Sequence, residues 1–452
     1  MTTRIIIVAA LSVASAVAQS DIQAPPDQEQ PDEQQYQGPS ILSRDKSMVA
    51  ERGGKLLDFR YYGQVDGVYD SGLVPVSVDP TGAVPNFGSF GEEIGFGVIG
   101  SRARRKDKIS LEYHGSYRNY SKVPYFNGTD QYLDLAYSRY LSRHLLLDLK
   151  EIAGTTTLAN GYFTYAPLTN TDLVAAPTNE LFDNPTRYLQ SRVDLTWIKS
   201  ARLSFGFGGE GFLVRRRSLA LAGLNGYQTH ANAAYRLTRR QTLSANYSYS
   251  KYDYTTFFGN SNVQSVSLGY SLGLTRKWDF ASQLGGFAVH TAGVETVNLD
   301  PAIAAIVGVT QANVTFSRTN YGPAADARLI RRFNHSSVHF GYSLGVVPGN
   351  GIYLTSRQSV GTAGFSYVSA RRLTAALDFS YGTLSSIGQT LGQYSNVQSG
   401  GGLTYRLMRD THLTARYDYR HYTTQNTLYQ KDSNRVTLGI AYSPGDRPLA
   451  IW

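Results

Sequence analysis

The chain has 452 residues, 43 Lys and Arg against 34 Asp and Glu, a formal net charge of +9 and no Cys. Without a thiol it can form no disulfide framework, Cys-ligated zinc site, iron–sulfur cluster or lipid-anchored Cys. Its 44 Gly and 33 Tyr accompany only 42% hydrophobic residues. After the N-terminus no apolar run reaches the roughly 18 residues of a membrane helix, which excludes a helical membrane protein. An extracellular sandwich, a propeller and a transmembrane β-barrel remain.

The N-terminal residues have the pattern of an export signal. Arg4 precedes an apolar stretch that ends in the small residues Ala16-Val17-Ala18, an A-x-A pattern that predicts cleavage before Gln19. A buried N-terminal helix is the alternative interpretation. Residues 19–53 are rich in Gln, Pro and acids, so they cannot bury enough surface to fold. We predict a signal peptide at 1–18, a disordered periplasmic tail at 19–53 and one folded domain at 54–452.

From Lys55 onward, apolar and polar residues alternate with a period of two. In the first segment Leu57, Phe59 and Tyr61 share one face, and Asp58 and Arg60 share the other. The alternation recurs to the C-terminus and often persists for ten residues or more. A tilted strand needs about 9 to 11 residues to cross a bilayer, whereas strands of a soluble sandwich average about five or six. The pattern therefore favours strands that cross a membrane.

Short basic turns and long polar connections separate these segments. The long connections are 71–90, 155–186 and 291–310, and all are rich in Gly, Asn, Thr or Pro. One short side and one long side is the asymmetry of an outer-membrane barrel. Eight turns, a first strand and a last strand predict an all-β, antiparallel up-and-down transmembrane barrel of about 18 strands, with 16 as the alternative. The eight basic turns lie at 104–106, 142–143, 199–202, 239–240, 276–277, 331–332, 371–372 and 409–410.

A propeller is the structural alternative, because its repeat of about 40 to 45 residues is close to the spacing of the turns. Each propeller blade contains four short strands, whereas two long ones occur here. No Trp-Asp or kelch-like signature recurs in the chain. The barrel is therefore favoured over the propeller.

In these features residues 55–452 resemble the porin-like outer-membrane β-barrels of diderm, Gram-negative bacteria. The resemblance implies export through the periplasm, residence in the outer membrane and recognition by the barrel-assembly machinery of a last strand that ends in an aromatic residue. Val436, Leu438, Ile440 and Tyr442 form such a strand, but the chain itself ends in Trp452. Either Tyr442 or Trp452 is then the signal aromatic.

If the apolar face meets lipid, the alternate residues face the lumen, which in an 18-strand barrel is wide enough for an aqueous channel. Facing rows of Arg and carboxylates across it would set a transverse field. Arg416, Asp418 and Arg420, with Arg406 on the neighbouring strand, form the densest cationic run. It is either an anion-favouring wall or an interstrand ion-pair ladder. The predicted pore-lining residues are Arg60, Glu112, Arg118, Arg192, Arg236, Arg406, Arg416, Asp418 and Arg420.

The expected partners follow from the two faces. The basic turns suit membrane lipid and lipopolysaccharide-type headgroups, and the lumen suits small polar solutes. A nucleic acid partner is not expected, because aromatic and charged residues occupy opposite faces. We predict no catalytic residue, metal site or cofactor, since the eight His are scattered without ligand spacing. Assembly as a monomer or a homotrimer stays open.

The sequence thus predicts a porin-like channel for passive diffusion of small hydrophilic solutes, and not an enzyme. The connection at 155–186, with Phe163, Tyr165, Asn179, Leu181, Phe182 and Pro185, is expected to fold inward as a constriction or to contact the exterior. Two alternatives remain. One is a surface adhesion or scaffolding barrel without an open pore, and the other is an outer-membrane hydrolase.

Overall fold

The computed structural model describes residues 57–75, 87–104, 106–158, 180, 182–255, 259–275, 277–298, 310–368, 372–387, 392–424 and 430–444. The predicted signal peptide, the tail and Trp452 lie outside these residues. Within them no helix has the length and hydropathy to span a membrane. The same residues contain one 3₁₀ turn, Pro124–Phe126, and eighteen strands: β1 Leu57–Leu73, β2 Phe87–Ala103, β3 Asp107–Tyr120, β4 Gly128–Ser142, β5 Leu145–Thr156, β6 Thr186–Ile198, β7 Leu203–Arg216, β8 Gly223–Thr238, β9 Gln241–Thr255, β10 Gly259–Gly273, β11 Trp278–Asn298, β12 Gln311–Arg332, β13 Ser336–Val347, β14 Ser356–Val368, β15 Leu373–Ser386, β16 Tyr394–Arg406, β17 Thr411–Thr424 and β18 Gln430–Tyr442.

The strands close into one antiparallel cylinder. Each strand lies beside the next strand in the chain, and β1 pairs with β18 as well as with β2. The closing pair runs in register from Gly63 opposite Tyr442 to Ser71 opposite Asn434. Closure leaves no unpaired edge, as a barrel in lipid requires. The predicted 18-strand up-and-down barrel is confirmed, and both the 16-strand count and the propeller, which would need separate four-stranded blades, are wrong.

Apolar side chains lie on the outside of this cylinder and polar ones on the inside. On β1, Tyr61 and Val65 are 39% and 60% exposed, whereas the intervening Gln64 and the following Asp66 are buried. Because the side chains of a strand alternate, a step of one residue moves a side chain from one face to the other. Large apolar residues are exposed all around the cylinder, for example Phe96, Leu135, Phe207, Leu268, Leu284, Phe340, Leu377, Leu403 and Leu438.

The two ends of the cylinder differ as the turn pattern predicts. The strand ends that flank the eight basic turns all lie at one end of the cylinder. Leu57, where β1 begins, and Tyr442, where β18 ends, lie at the same end. One predicted connection is partly wrong: within 291–310, β11 continues to Asn298 and pairs there with Gln311 of β12. This hairpin extends beyond β13, whose pairing with β12 stops at Ala325. A strand that leaves the hydrocarbon needs no apolar face, so its polar sequence resembled a loop.

Inward glycines let side chains from flanking strands approach closely over the strand between them. A Cβ atom at Gly97 would lie 2.0 Å from the Tyr62 ring, and one at Gly208 would lie 2.0 Å from Asp194 Oδ1. Glycine in a strand often marks such a close approach. Gly209, on the outer face, has no atom closer than 3.6 Å to such a Cβ. A side chain therefore approaches closely over Gly97 and over Gly208 but not over Gly209.

Candidate functional site

All nine predicted pore-lining residues lie in the inward phase of their strands. They are spread around the cylinder instead of forming one group: Arg60 is on β1, Glu112 and Arg118 on β3, Arg192 on β6, Arg236 on β8, Arg406 on β16, and Arg416, Asp418 and Arg420 on β17. Their contacts are mainly with neighbouring strands. These contacts do not form the expected rows of opposite charge that face one another across the lumen.

The most buried charges form a cluster on five adjacent strands, β18 and β1–β4, which we call the Glu93 cluster: Asp70, Glu93, Arg118, Asp130 and Arg435. Arg118 donates to both Glu93 carboxylate oxygens, at 3.1 and 3.3 Å, and to Asp130 Oδ2 at 2.9 Å. Arg435 donates to Glu93 from the other side and lies 3.8 Å from Asp70. All five residues are 1–2% exposed. Glu93 is therefore the hub that joins two buried guanidinium groups.

Only Arg118 of this cluster was among the predicted pore-lining residues. Arg435 could have been found, because it directly precedes the outward series Val436, Leu438 and Ile440 and so must point inward. Glu93 was missed because glycines lie on both faces of β2. A glycine has no side chain to mark its face as apolar or polar, so the alternation of β2 is not visible in the sequence. Asp130 follows the 3₁₀ turn by only a few residues, in a segment without a clear pattern.

Arg416, a member of the cationic run, is paired with two carboxylates. Arg416 Nε donates to Asp418 Oδ2 at 2.7 Å, Nη2 donates to the other Asp418 oxygen, and Nη2 also contacts Asp378 Oδ1 at 3.3 Å. Asp378 lies on β15, two strands from β17. A Cβ atom at Gly400 on β16 would come within 2.5–2.7 Å of all three charged groups. Ion pairs of the kind expected for a ladder are therefore present at Arg416, and Gly400 leaves the space for them; the ion preference of this wall stays a prediction.

Arg406 is not part of this group. Its register partner on β17 is His412, whereas Arg416 lies opposite Gly402. The Arg406 guanidinium donates to the Arg409 carbonyl oxygen in the adjoining basic turn, at 3.0 Å. The predicted run of Arg406 with Arg416 is therefore wrong, because four residues along β16 separate their register positions.

Two further inward groups combine histidine with charged neighbours. His230 on β8 lies 2.7 Å from Asp194 on β6, which also accepts a hydrogen bond from Arg192. His114 on β3 lies 2.7 Å from Glu112 and 2.8 Å from the Tyr62 hydroxyl on β1. These histidines are hydrogen-bonded parts of the wall.

Residues before β6 connect opposite walls at the loop end. The Glu180 carboxylate accepts hydrogen bonds from Arg216 on β7 at 2.6 and 3.0 Å, and its carbonyl oxygen accepts one from Arg420 on β17. β7 and β17 are eight strands apart by the shorter way, through β18 and β1, and so lie on nearly opposite sides. Arg420 also stacks on Tyr422, 5.3 Å from the ring centroid. Arg420 thus holds a segment that crosses the interior.

Within the predicted inward connection, 155–186, the structure describes 155–158, Glu180 and 182–186, and those that lie between β5 and β6 near β6 are Glu180 and 182–185. Phe182, Asp183 and Asn184 are all buried. Asp183 exchanges hydrogen bonds with the backbone of Val74, at 2.7 and 2.8 Å. These residues lie inside the cylinder, as expected of a constriction. Phe163, Tyr165, Asn179 and Leu181 lie outside the described residues.

A second inward segment, residues 348–355 between β13 and β14, was not predicted; we call it the inward loop. Its Gly351 carbonyl oxygen accepts a hydrogen bond from Ala222 N, in the β7–β8 turn, at 2.9 Å. Tyr353 is buried, with its ring centroid 6.1 Å from that of Tyr394. Burial raises the pKa of the Tyr353 hydroxyl, and the neighbouring Tyr394 raises it further. The loop therefore extends from its own strands towards β7 and β8.

The two inward segments pack together in an apolar cluster at the loop end. Phe182 comes from one segment and Tyr353 from the other, and the wall contributes side chains from β15, β16 and β17. The buried members are Val74, Phe182, Leu221, Tyr353, Leu384, Tyr394 and Tyr422. The two inward segments therefore fill part of the interior at this end.

The wall opposite the Glu93 cluster is neutral and rich in hydroxyl groups. Along the described lengths of β9 and β10, the inward positions carry no charged side chain and include eight polar residues: Ser244, Asn246, Ser248, Ser250, Ser261, Ser265, Ser267 and Ser271. Ser248 and Ser265 bond to each other at 2.8 Å, whereas Ser250 donates to Gln228 on β8 and Ser261 donates to Thr291 on β11. A charged wall on β18 and β1–β4 thus faces an uncharged, hydrogen-bonding wall.

The described residues contain no group of three or more His, Asp or Glu side chains placed to hold a metal ion. His290 contacts the hydroxyls of Ser317 and Thr319, at 3.3 and 3.0 Å, on the exposed β11–β12 hairpin. A catalytic triad would need a carboxylate to orient this imidazole, and these contacts include none.

Comparison with protein-family models and with curated protein sequences finds no match to the chain. Among solved structures, the chain is similar to a BenF-like porin from Pseudomonas fluorescens Pf-5, with 12% identity, 86% of this chain and 100% of that chain covered, and a TM-score of 0.42. It is also similar to Pseudomonas aeruginosa OccK5 (OpdH), with 13% identity, coverage of 87% and 99%, and a TM-score of 0.40. It is similar as well to Acinetobacter baumannii OccAB3, with 8% identity, 85% of this chain and 99% of that chain covered, and a TM-score of 0.38. Likeness at this level says nothing about what this chain transports.

Proposed function

We propose that the protein is a porin-like outer-membrane channel for passive diffusion of small hydrophilic solutes. The observation that carries this proposal is the inverted distribution of side chains on a closed 18-strand cylinder. Apolar residues are exposed on the outside, where they match hydrocarbon, and charged or hydroxyl residues line the inside. Strands of 12 to 22 residues are long enough to cross the bilayer.

The inner wall supports hydrophilic solutes as the transported class. The charged wall offers guanidinium and carboxylate groups, and the opposite wall offers serine hydroxyls. Such groups replace the water around a polar solute, whereas an apolar solute gains little from them. The nine predicted residues contribute to this lining in the proposal, with Arg118 and Arg416 as ion-paired members of it.

The ends of the strands support the proposed partners in the membrane. At the basic end, Arg239 and Arg240 line an open cavity of about 420 Å³ with Leu272 and Leu274. A cation beside leucine suits the phosphate and upper acyl chain of a lipid. We also propose Tyr442, the last residue of β18, as the aromatic that the barrel-assembly machinery recognises. Its ring is half exposed on the outer face.

Conductance tests the channel directly. Protein purified in detergent should show heat-modifiable gel mobility, and in planar bilayers it should give steady ohmic steps. Vesicles containing it should swell in small sugars. A heat-modifiable barrel that gives neither steps nor swelling would contradict the proposal. Sedimentation of the same sample separates a monomer from a homotrimer.

A barrel without an open pore, acting in adhesion or as a scaffold, is the second candidate. The observation that favours it is the apolar cluster at the loop end, in which Phe182 and Tyr353 from the two inward segments meet Tyr422 of the wall. The same conductance measurement separates the two functions. Ohmic steps support the channel, and their absence from a folded barrel supports the scaffold.

A further inference from the structure

One tyrosine hydroxyl holds both ends of the inward loop. Tyr254 lies near the loop end of β9 and is buried in the inward phase. Its hydroxyl donates to the Pro348 carbonyl oxygen at 3.1 Å and lies 2.7 Å from Thr355 Oγ1. Pro348 and Thr355 are the first and last residues of the loop. The loop therefore closes on a single side chain four strands away from β13.

A short chain of hydroxyls continues this contact into the wall. Thr355 Oγ1 donates to Ser261 Oγ on β10, which donates to Thr291 Oγ1 on β11 at 3.1 Å. Tyr254, Ser261 and Thr355 are each at most 8% exposed. A buried polar group that loses its partner pays the cost of desolvation without compensation. Tyr254, Thr355 and Ser261, which we call the anchor, therefore hold the loop through buried hydroxyl groups. Loss of one hydroxyl leaves a buried partner without its hydrogen bond.

The anchor determines where Tyr353 sits in the cross-section. Gly349 and Gly351 have φ angles of +77° and +93°, which glycine adopts at little cost. They turn the chain back on itself between Pro348 and Thr355, and the turn places Tyr353 against Tyr394 and Phe182. If the ends of the loop are released, Tyr353 loses its fixed position in the apolar cluster that joins the two inward segments.

We propose that Tyr254 is a positioning residue for solute selection: its hydroxyl holds the inward loop across the lumen and thereby sets the largest solute that passes. The inference rests on the proposed channel function. Tyr254 contacts the loop and not the solute. Its replacement should therefore change the size of the largest solute that passes and leave the charge preference unchanged.

Tyr254→Phe tests the proposal by removing one oxygen atom and keeping the ring. The loss should shift the balance between held and released loop by about tenfold towards release. Single-channel conductance should then rise or fluctuate between levels, and larger polyethylene glycols should enter the pore. Tyr249→Phe is the matched control, since Tyr249 lies on the outward phase of the same strand and its hydroxyl donates to Asn262 at 3.1 Å. The control should behave as the unsubstituted protein.

A reversible lock provides a second, independent measurement. The chain has no Cys, so Ser261→Cys with Thr355→Cys would create one disulfide, at two side chains whose oxygens are already in contact. Oxidation should fix the loop and lower the polymer cut-off, and dithiothreitol should raise it again. In the triple variant with Tyr254→Phe, oxidation should restore the cut-off of the unsubstituted protein.

The outcomes separate this inference from the proposed function. If the unsubstituted protein conducts but Tyr254→Phe keeps its conductance and cut-off, the positioning role is refuted. An equal change in Tyr249→Phe refutes it too. If Tyr254→Phe loses heat-modifiable mobility, the cysteine lock decides: a cut-off that does not respond to dithiothreitol refutes the role. Absence of conductance from every folded variant, reduced or oxidised, instead refutes the channel.

Discussion

Replacing Glu93 by Gln removes the charge that holds two buried guanidinium groups together. Removing one partner of a buried ion pair typically costs about 3–5 kcal/mol, because the other charge stays buried without compensation. Here Arg118 keeps Asp130 at 2.9 Å, whereas Arg435 keeps only the 3.8 Å contact with Asp70. The main loss is therefore at Arg435. We expect the free energy of unfolding to fall by about 3 kcal/mol, the lower end of that range.

Equilibrium urea unfolding in lipid vesicles measures this change, with fluorescence from Trp197 and Trp278 as the signal. Glu92→Gln is the matched control, because Glu92 is the adjacent residue on the outer face and is exposed. Its unfolding free energy should change by less than about 0.5 kcal/mol. If the two variants lose equal stability, the hub role of Glu93 is refuted. Adding Arg435→Met to Glu93→Gln should recover part of the loss, since it removes the uncompensated charge.

Three further predictions concern the wall and the tail. Arg416→Ser should shift the reversal potential towards cations, because it leaves two carboxylates without their guanidinium; an unchanged potential would show that this group does not face the permeating ions. Gly400→Ala should destabilise the barrel by about 1–3 kcal/mol, since the added Cβ would lie 2.5 Å from Asp418 Oδ1. Gly361→Ala, where no atom lies within 4 Å of the added Cβ, should cost less in the same urea titration. Deleting residues 19–53 should leave heat-modifiable mobility unchanged, and its loss would contradict the assignment of this segment as a disordered tail.

Local alternation was sufficient to predict the barrel and the face of residues on the strands that alternate clearly. Leu57 to Tyr69 and Val436 to Tyr442 follow the period of two closely, and both form strands with the predicted faces. The pattern works because lipid outside and polar groups inside impose opposite requirements on successive residues. It failed at 291–298, where the β11–β12 hairpin extends past its neighbours and neither face needs to be apolar.

The partners of the inward charges could not be predicted in the same way. The sequence places Arg416 and Asp418 on one face, but Asp378 is 38 residues away from Arg416 and reaches it across a strand, over Gly400. Glu93 and Arg435 are 342 residues apart and meet only because β1 pairs with both β2 and β18. A period-two pattern carries no information about the register between distant strands.

By itself, the sequence determined the class of fold, a count of about 18 strands, the shared end of the basic turns and the inward face of the strands that alternate clearly. Each of these depends on a side chain and its immediate neighbours along the chain. The tertiary structure decided which charges pair and which loops enter the interior. Some of those features depend on closure of the cylinder, which joins Glu93 to Arg435 and brings Arg216 and Arg420 to the two ends of Glu180. Others, such as the contact of Arg416 with Asp378 and of Tyr254 with the inward loop, depend on strand register and loop conformation, which the period of two does not encode.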